Sequence, residues 1–573
     1  MRNNKKLNIF GLILTSSLVL SGCSLLMREV PEVSSTRKGA DSTSSKMASS
    51  SEESSHSSID WSEEEPETNP IAKTKFSYTY KDYSKHSYFE YDYTPSVGNP
   101  KLLVIPIWFS DSGSCITENH IEDVREDIET AYFGTEEEAG WQSVKSYYYA
   151  MSQGRCNIDG VVTEWYEVGE SMVAYGNSES LTESLVKTAS DWYFEQEGSL
   201  PRSYFDSDDD GFLDGVMLIY AAPDYAATQL DWYSDNDGRE NFWAYTSWTF
   251  AESNKTEPAA NAYFWASYDF MYNTDTANVR TGLYFWGSGE PSGSGFADAH
   301  TFIHEMGHMF GLPDYYDYSS NRYSPAGSFS MQDHNVGSHD PYSALALGWT
   351  DPYVPEESCT LTIKPFQNKG RNVVLLQSNG FNVDGSPFDE YILLELYTPT
   401  GLNKNDCDNA YRSGYYYGNA PQGPNETGIR IWHVDARLVK INTRLGRVSV
   451  DTANPKKVPD EDNLFFMMSN SYNDYSQEIS GRLSVCGSGY YDYNILQLIR
   501  NDTGTRRITY RTSKDLSGED LFKDGDTFTC SKYSSQFVNK SKLNCGDNLG
   551  WTVNVSITGE GEDALATLNL IRD

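Results

Sequence analysis

Apolar positions along the chain change period near its middle. Leu102 to Trp108 (LLVIPIW) is short, apolar and rich in β-branched residues, which predicts a strand; Pro106 cannot donate a ladder hydrogen bond, so an edge position or a bulge is expected there. Over Ser143 to Met151 the positions Val144, Tyr147, Tyr148 and Met151 recur on one side, predicting a helix that Gly154 stops. A second helix is expected over Glu179 to Glu195, then an Asp-rich loop, then a buried strand at Gly215 to Tyr220. Beyond about Pro355 the period becomes that of strands. Thr360 to Lys364, Val373 to Gln377, Tyr391 to Leu396, Ile429 to Val434 and Trp551 to Ile557 are separated by Gly, Asn and Asp turns, which predicts an all-β, sandwich-like region. No internal repeat stands out.

The first residues follow a different pattern. Arg2, Lys5 and Lys6 precede a mainly apolar run from Leu7 to Leu20, and Ser21, Gly22 and Cys23 close it. This is the layout of a secretory signal peptide, and the run is short for a membrane span of about 20 residues. The Leu-Ser-Gly-Cys ending resembles the bacterial lipobox, which implies cleavage before Cys23 and a lipid on its sulfur. No later stretch is expected to span a membrane. From about Ser24 to Asn69 Ser, Glu and Thr dominate, too polar for burial to offset the entropy of ordering, so a flexible tether is expected. The resulting division is 1–22 for the signal, 23–75 for the lipidated tether, 76–355 for a mixed α/β part and 356–573 for the β-rich part.

Composition narrows the partners. Acidic residues outnumber basic ones by 82 to 44, a net charge of -38, which argues against a nucleic-acid partner because phosphate binding needs clustered Lys and Arg. Carboxylates in such excess suit hard cations such as calcium. Eight cysteines are present. Without Cys23 an odd number remains, none in a CxxC pair, which argues against a cysteine metal site. Export permits disulfides, and Cys530 with Cys545 is a candidate pair.

The chemistry concentrates in His304-Glu305-Met306-Gly307-His308-Met309-Phe310-Gly311-Leu312-Pro313-Asp314. On a helix, His304 and His308 project from one face and can share one zinc ion, with Glu305 beside them as general base. Gly311 can end the helix in a left-handed conformation, after which Asp314 can return an oxygen to the metal. Three protein ligands plus one water is the usual catalytic zinc arrangement. His300 lies on the same face, but a straight helix spreads the three side chains along its axis, so a packing role is expected for it. His433 and Asp435 alternate on an expected strand, where a structural role is favoured over metal binding. In a second acidic run, Asp206, Asp208, Asp210 and Asp214 with the Gly211 turn repeat the first half of an EF-hand loop. Met217 stands where the closing Glu belongs, so a structural calcium site is expected rather than a full EF-hand.

HExxHxxGxxD looks like the metzincin signature, with Asp in place of the commoner third His. The run Gly311 to Asp317 is similar to the immune inhibitor A (M6) family of bacterial metallopeptidases. The Ser143 to Tyr149 helix, the Asp-rich loop, Gly348-Trp349 and Ile431 to Asp435 follow in the order of that family, so the resemblance spans roughly Leu102 to Asp435. It implies an α+β zincin-like or metzincin-like catalytic domain followed by an all-β domain. It also implies Ser330-Met331 as the methionine turn beneath the metal. Where some metzincins place a Tyr two residues after that Met, Asp333 stands, and Tyr342 is the candidate left for the oxyanion. Between tether and first strand there is little room for an inhibitory propeptide. The expected activity is zinc-dependent hydrolysis of peptide bonds in extracellular proteins, at the outer face of a bacterial membrane. Peptide is expected to lie along a sheet edge, with Phe242 to Tyr245 as a candidate rim. The alternatives are a catalytically silent surface protein that binds host protein or glycan, against which Glu305 speaks, and a hydrolase of a non-peptide amide.

Overall fold

A computed structural model describes residues 92–139, 141–176, 179–223, 241–272, 297–316, 325–379, 387–408, 422–444, 447–456, 464–466, 470, 494–502 and 517–573. The expected signal, Cys23 and the tether lie outside these residues, as do Asp317 and Cys486.

The first sheet is mixed. Strand β1 (Lys101–Trp108) lies beside β4 (Gly215–Tyr220) on one side and beside β2 (Asp159–Val162) and β3 (Tyr166–Glu167) on the other, all parallel. Outward from β4 come β6 (Ala262–Ser267), parallel, and then β5 (Tyr245–Trp248), antiparallel. β4 and β6 are buried at every position, as strands covered on both faces must be.

Pro106 does not put β1 at an edge. Val104 and Trp108 accept the N–H groups of Thr163 and Val168 on the β2/β3 side, whereas Ile107 accepts that of Ala221 on the β4 side. Alternation therefore aims Pro106 towards the β2/β3 side, at the gap between those two short strands. An internal strand tolerates proline here because nothing is aligned to receive its missing donor.

Helices cover this sheet. In α1 (Ile121–Phe133) Val124, Ile128, Ala131 and Tyr132 are buried at helical spacing. α2 (Val144–Met151) starts on a reciprocal cap, in which Ser143 Oγ accepts the Ser146 N–H at 3.1 Å and Ser146 Oγ accepts the Ser143 N–H at 2.9 Å. Gly154, at φ +83°, follows its end. Next come α3 (Glu179–Phe194), α4 (His300–Met309) and α5 (Pro341–Ala346).

Beyond residue 355 the strands among the described residues pair antiparallel. One four-stranded sheet runs in the order β14 (Leu496–Ile499), β10 (Gly428–Asp435), β9 (Glu390–Tyr397), β8 (Val373–Leu376). The other is ordered β15 (Thr527–Phe528), β16 (Trp551–Thr558), β17 (Leu565–Arg572), β7 (Cys359–Ile363). A three-stranded sheet joins β12 (Arg447–Lys456), β11 (Leu438–Arg444) and β13 (Leu464–Phe466).

The β14–β10–β9–β8 sheet is a shared layer. Ile392, Leu394 and Leu396 of β9 join the core formed with β7, β16 and β17, while Tyr391, Leu393 and Tyr397 join the core formed with the first sheet and its helices. β8 and β10 divide their side chains the same way. This explains why these strands read as nearly continuous apolar runs rather than strict alternations. Cys530 and Cys545 are both free thiols, so the suggested disulfide is not formed.

Candidate active site

Helix α4 owes its position to its apolar side. Phe302, Ile303, Met306 and Met309 are buried, Tyr132 of α1 stacks on Phe302, and Tyr148 of α2 donates its hydroxyl to the Ile303 carbonyl at 2.6 Å. Asp298 Oδ1 accepts the N–H of His300 at 2.9 Å, satisfying one donor of the first turn. At the other end Gly311 takes φ +102°, and the N–H of Leu312 reaches back to the Gly307 carbonyl at 3.0 Å. This left-handed stop turns the chain so that Asp314 returns over the helix.

The consequence is a tight group of donors. Ligand atoms of His304, Glu305 and His308 lie within 4.8 Å of one another. Oδ1 of Asp314 is 3.1 Å from His304 Nε2 and 3.3 Å from His308 Nε2. Both imidazoles are held through their other nitrogen. His304 Nδ1 is 2.7 Å from the Met331 carbonyl, and His308 Nδ1 is 2.7 Å from that of Leu312. A ring that donates Nδ1–H to a carbonyl presents a lone pair at Nε2, as metal ligation needs. Two imidazole nitrogens and a carboxylate oxygen meeting at one point thus fit a zinc ion.

Met331 is completely buried, and its neighbour Gln332 packs so close to α4 that a Cβ on Gly307 would come within 2.2 Å of the Gln332 amide oxygen. Glu305 is buried, which raises its carboxyl above the usual range against the pull of His308 and His304. Thr246 of β5 places its hydroxyl 3.0 Å from the Glu305 carbonyl and 3.4 Å from Oε2. Among the described residues β5 pairs only with β6, and its Thr246 side chain reaches the site. Of the expected rim, Phe242 is fully buried in the core, while Trp243, Ala244 and Tyr245 are half-buried.

The N-terminal half of this region matches a known family. Residues 96–196, from the approach to β1 through α3, match the family described as immune inhibitor A peptidase M6, catalytic domain. Residues 96–196 are therefore similar to an M6 metallopeptidase catalytic domain. The match ends before α4, so the donor group lies outside the matched segment. No curated protein matches the chain.

Around the donor group other expectations sort by geometry. His300 is buried and stands outside the grouped ligand atoms of its helix; burial, then the neighbouring His304, pushes its imidazole down to about 3. Tyr342 is fully buried in α5. Tyr316, two residues past Asp314, was not singled out from the sequence, yet its hydroxyl hydrogen-bonds Asp314. Burial first, and then the Asp314 and Glu305 carboxylates, hold that phenol well above its usual range. The Tyr316 ring packs 4.9 Å from that of His334, whose Nδ1 is 2.5 Å from Asp333 Oδ1. The HExxHxxGxxD spacing offers no signal for this pair, because His334 arrives from the loop after Met331.

Away from this site, carboxylate oxygens of Asp206, Asp208 and Asp210 lie within 4.8 Å of one another. Asp206 accepts the N–H groups of Asp210 and Gly211 at 3.0 and 3.1 Å, and burial raises its carboxyl. Asp214, expected as a fourth ligand, gives Oδ1 to the Ser207 N–H and Oδ2 to the Lys101 N–H, tying the loop to β1. His433 Nε2 is 2.8 Å from Glu390 Oε1, and Asp435 receives both Arg437 and Asn544. Those two residues serve a buried polar network.

Proposed function

We propose that the protein is a zinc endopeptidase with a zincin-like catalytic fold, exported and held at the outer face of a bacterial membrane by a lipid on Cys23, where it cleaves extracellular proteins. The observation that carries this reading is the meeting of His304 Nε2, His308 Nε2 and Asp314 Oδ1 beside the buried carboxyl of Glu305. His304, His308 and Asp314 would hold the metal, and zinc bound there would supply Lewis-acid polarisation of the scissile carbonyl and of a water. Glu305 takes a proton from that water as its oxygen bonds to the carbonyl carbon. The same carboxyl then delivers the proton to the amine nitrogen as the C–N bond breaks. Its raised pKa, a product of burial, suits both halves of that cycle. Substrate runs extended along the open edge of β5, where backbone hydrogen bonding positions any sequence. The Asp206, Asp208 and Asp210 loop is read as a structural calcium site bracing the entry to β4.

Zinc content and cleavage of a protein panel, for wild type and Glu305→Ala, test the reading. About one zinc per chain in both, with cleavage only by wild type, is the expected result. A folded wild type that binds no zinc, or a variant that cleaves as fast, overturns it.

A further inference from the structure

Two residues after Met331, where the resemblance implies a tyrosine, Asp333 stands, so another group must face the oxygen of the scissile carbonyl. Glu305 fixes where that oxygen develops, since water attack and proton return both occur beside its carboxyl. Tyr316 follows Asp314 by two residues on the segment that leaves α4. Its hydroxyl is hydrogen-bonded to Asp314, itself one of the grouped donors. It is half-buried, as a side chain on the wall of a cleft should be. His334 supports the ring at 4.9 Å and is itself pinned by Asp333, which also accepts the Ser328 N–H at 3.1 Å. A phenol O–H can turn about its C–O bond without moving the ring. Its proton can therefore pass from Asp314 in the resting site to an oxyanion when one forms.

We infer that Tyr316 is the hydrogen-bond donor to the tetrahedral oxyanion of the peptidase reaction, and that His334, held by Asp333, is the positioning residue that aims it. The inference rests on the peptidase reading above. No bond to Tyr316 forms or breaks; its proton is shared with the oxyanion while the carbonyl carbon is tetrahedral and relaxes back as the amine leaves. An oxyanion donor of this kind is typically worth about 100- to 1000-fold in kcat. A donor that acts only in the transition state lowers kcat and kcat/KM together when lost, leaving KM in place.

The test uses the full chain loaded with zinc, as wild type, Tyr316→Phe, His334→Ala and His334→Phe. Three quantities are read: kcat and KM on a peptide, zinc affinity by chelator competition, and calorimetric binding of a phosphinic peptide whose tetrahedral phosphorus mimics the intermediate. For Tyr316→Phe the expected outcome is a kcat lower by about 100-fold or more, unchanged KM and zinc affinity, and phosphinate binding weakened in step with kcat/KM. His334→Ala should lower kcat less, and His334→Phe, which keeps the ring contact, should recover most of it. Unchanged kcat in Tyr316→Phe overturns the inference, and so does lost zinc affinity, which would make Tyr316 only a brace for Asp314. If His334→Phe is as poor as His334→Ala while Tyr316→Phe is mild, His334 is the donor and the assignment falls. A wild type that binds zinc and cleaves separates each of these failures from a failure of the peptidase reading itself.

Discussion

At the scale of single residues, imidazoles here serve opposite ends by virtue of their surroundings. His304 and His308 have carbonyls for Nδ1 and an anion at Nε2. His339 has neither. It is fully buried among Tyr147, Tyr148 and Trp349, and both ring nitrogens lack a hydrogen-bond partner among the described residues. Burial chiefly, then the nearby His304 and His308, lowers its pKa from 6.5 to about 3, and His300 is lowered to the same level. The unfolded chain therefore binds protons at these groups at a pH where the folded chain does not. Stability is complete above about pH 6.5 and declines as pH falls towards 3, by up to about 1.4 kcal/mol per pH unit for each imidazole. Urea unfolding between pH 7 and pH 4 checks this, and His339→Phe should flatten the decline. An equally steep variant would remove His339 from the account.

At the scale of elements, α4 and the turn at Met331 and Gln332 are one interlocked unit. Gly307 exists because Gln332 occupies the space of a side chain there, and Gln332 is completely buried and cannot swing aside. Gly307→Ala should cost about 1–3 kcal/mol through overpacking. Because Gln332 follows Met331, whose carbonyl orients His304, the same change should weaken zinc binding. Thermal denaturation and chelator competition on the variant measure the two effects. Full zinc affinity with reduced stability would show that the turn can yield without moving the ligand. The i, i+4 histidines, the Gly311 stop and the return of Asp314 were legible because each depends on neighbours a few residues away. The internal place of β1 was not. Proline's missing donor excludes a ladder position but does not reveal a gap between two partner strands.

At the scale of the whole molecule, the β14–β10–β9–β8 sheet is the joint between two apolar cores. On its face towards the catalytic core lies a buried pair, Arg430 to Glu395 at 2.8 Å, with Trp432 donating to the same carboxylate and the Arg430 guanidinium over the Tyr397 ring. Burial pushes Glu395 up, while Arg430 opposes that push. Arg430→Met leaves a buried carboxylate without its cation and should cost about 3–5 kcal/mol, measurable by urea unfolding. Replacing both with apolar residues should recover most of this loss. If the single variant is as stable as wild type, the pair is not what holds the joint. Among the described residues no helix is long and apolar enough to cross a membrane.

The sequence by itself determined what rests on local geometry. Helical spacing put His304, Glu305 and His308 on one helix, a left-handed glycine returned Asp314, and the change from helical to strand period located the start of the antiparallel sheets near residue 355. Tertiary structure decided what depends on segments distant in the chain. It set Tyr316 against His334, placed Thr246 of an edge strand on Glu305, drew Asp214 to the backbone of β1 instead of its acidic neighbours, and buried one sheet on both faces. Chain geometry dictates which side chains share a face within a few residues. Which faces then meet is settled by packing, because many arrangements bury similar apolar area and only the folded whole selects among them.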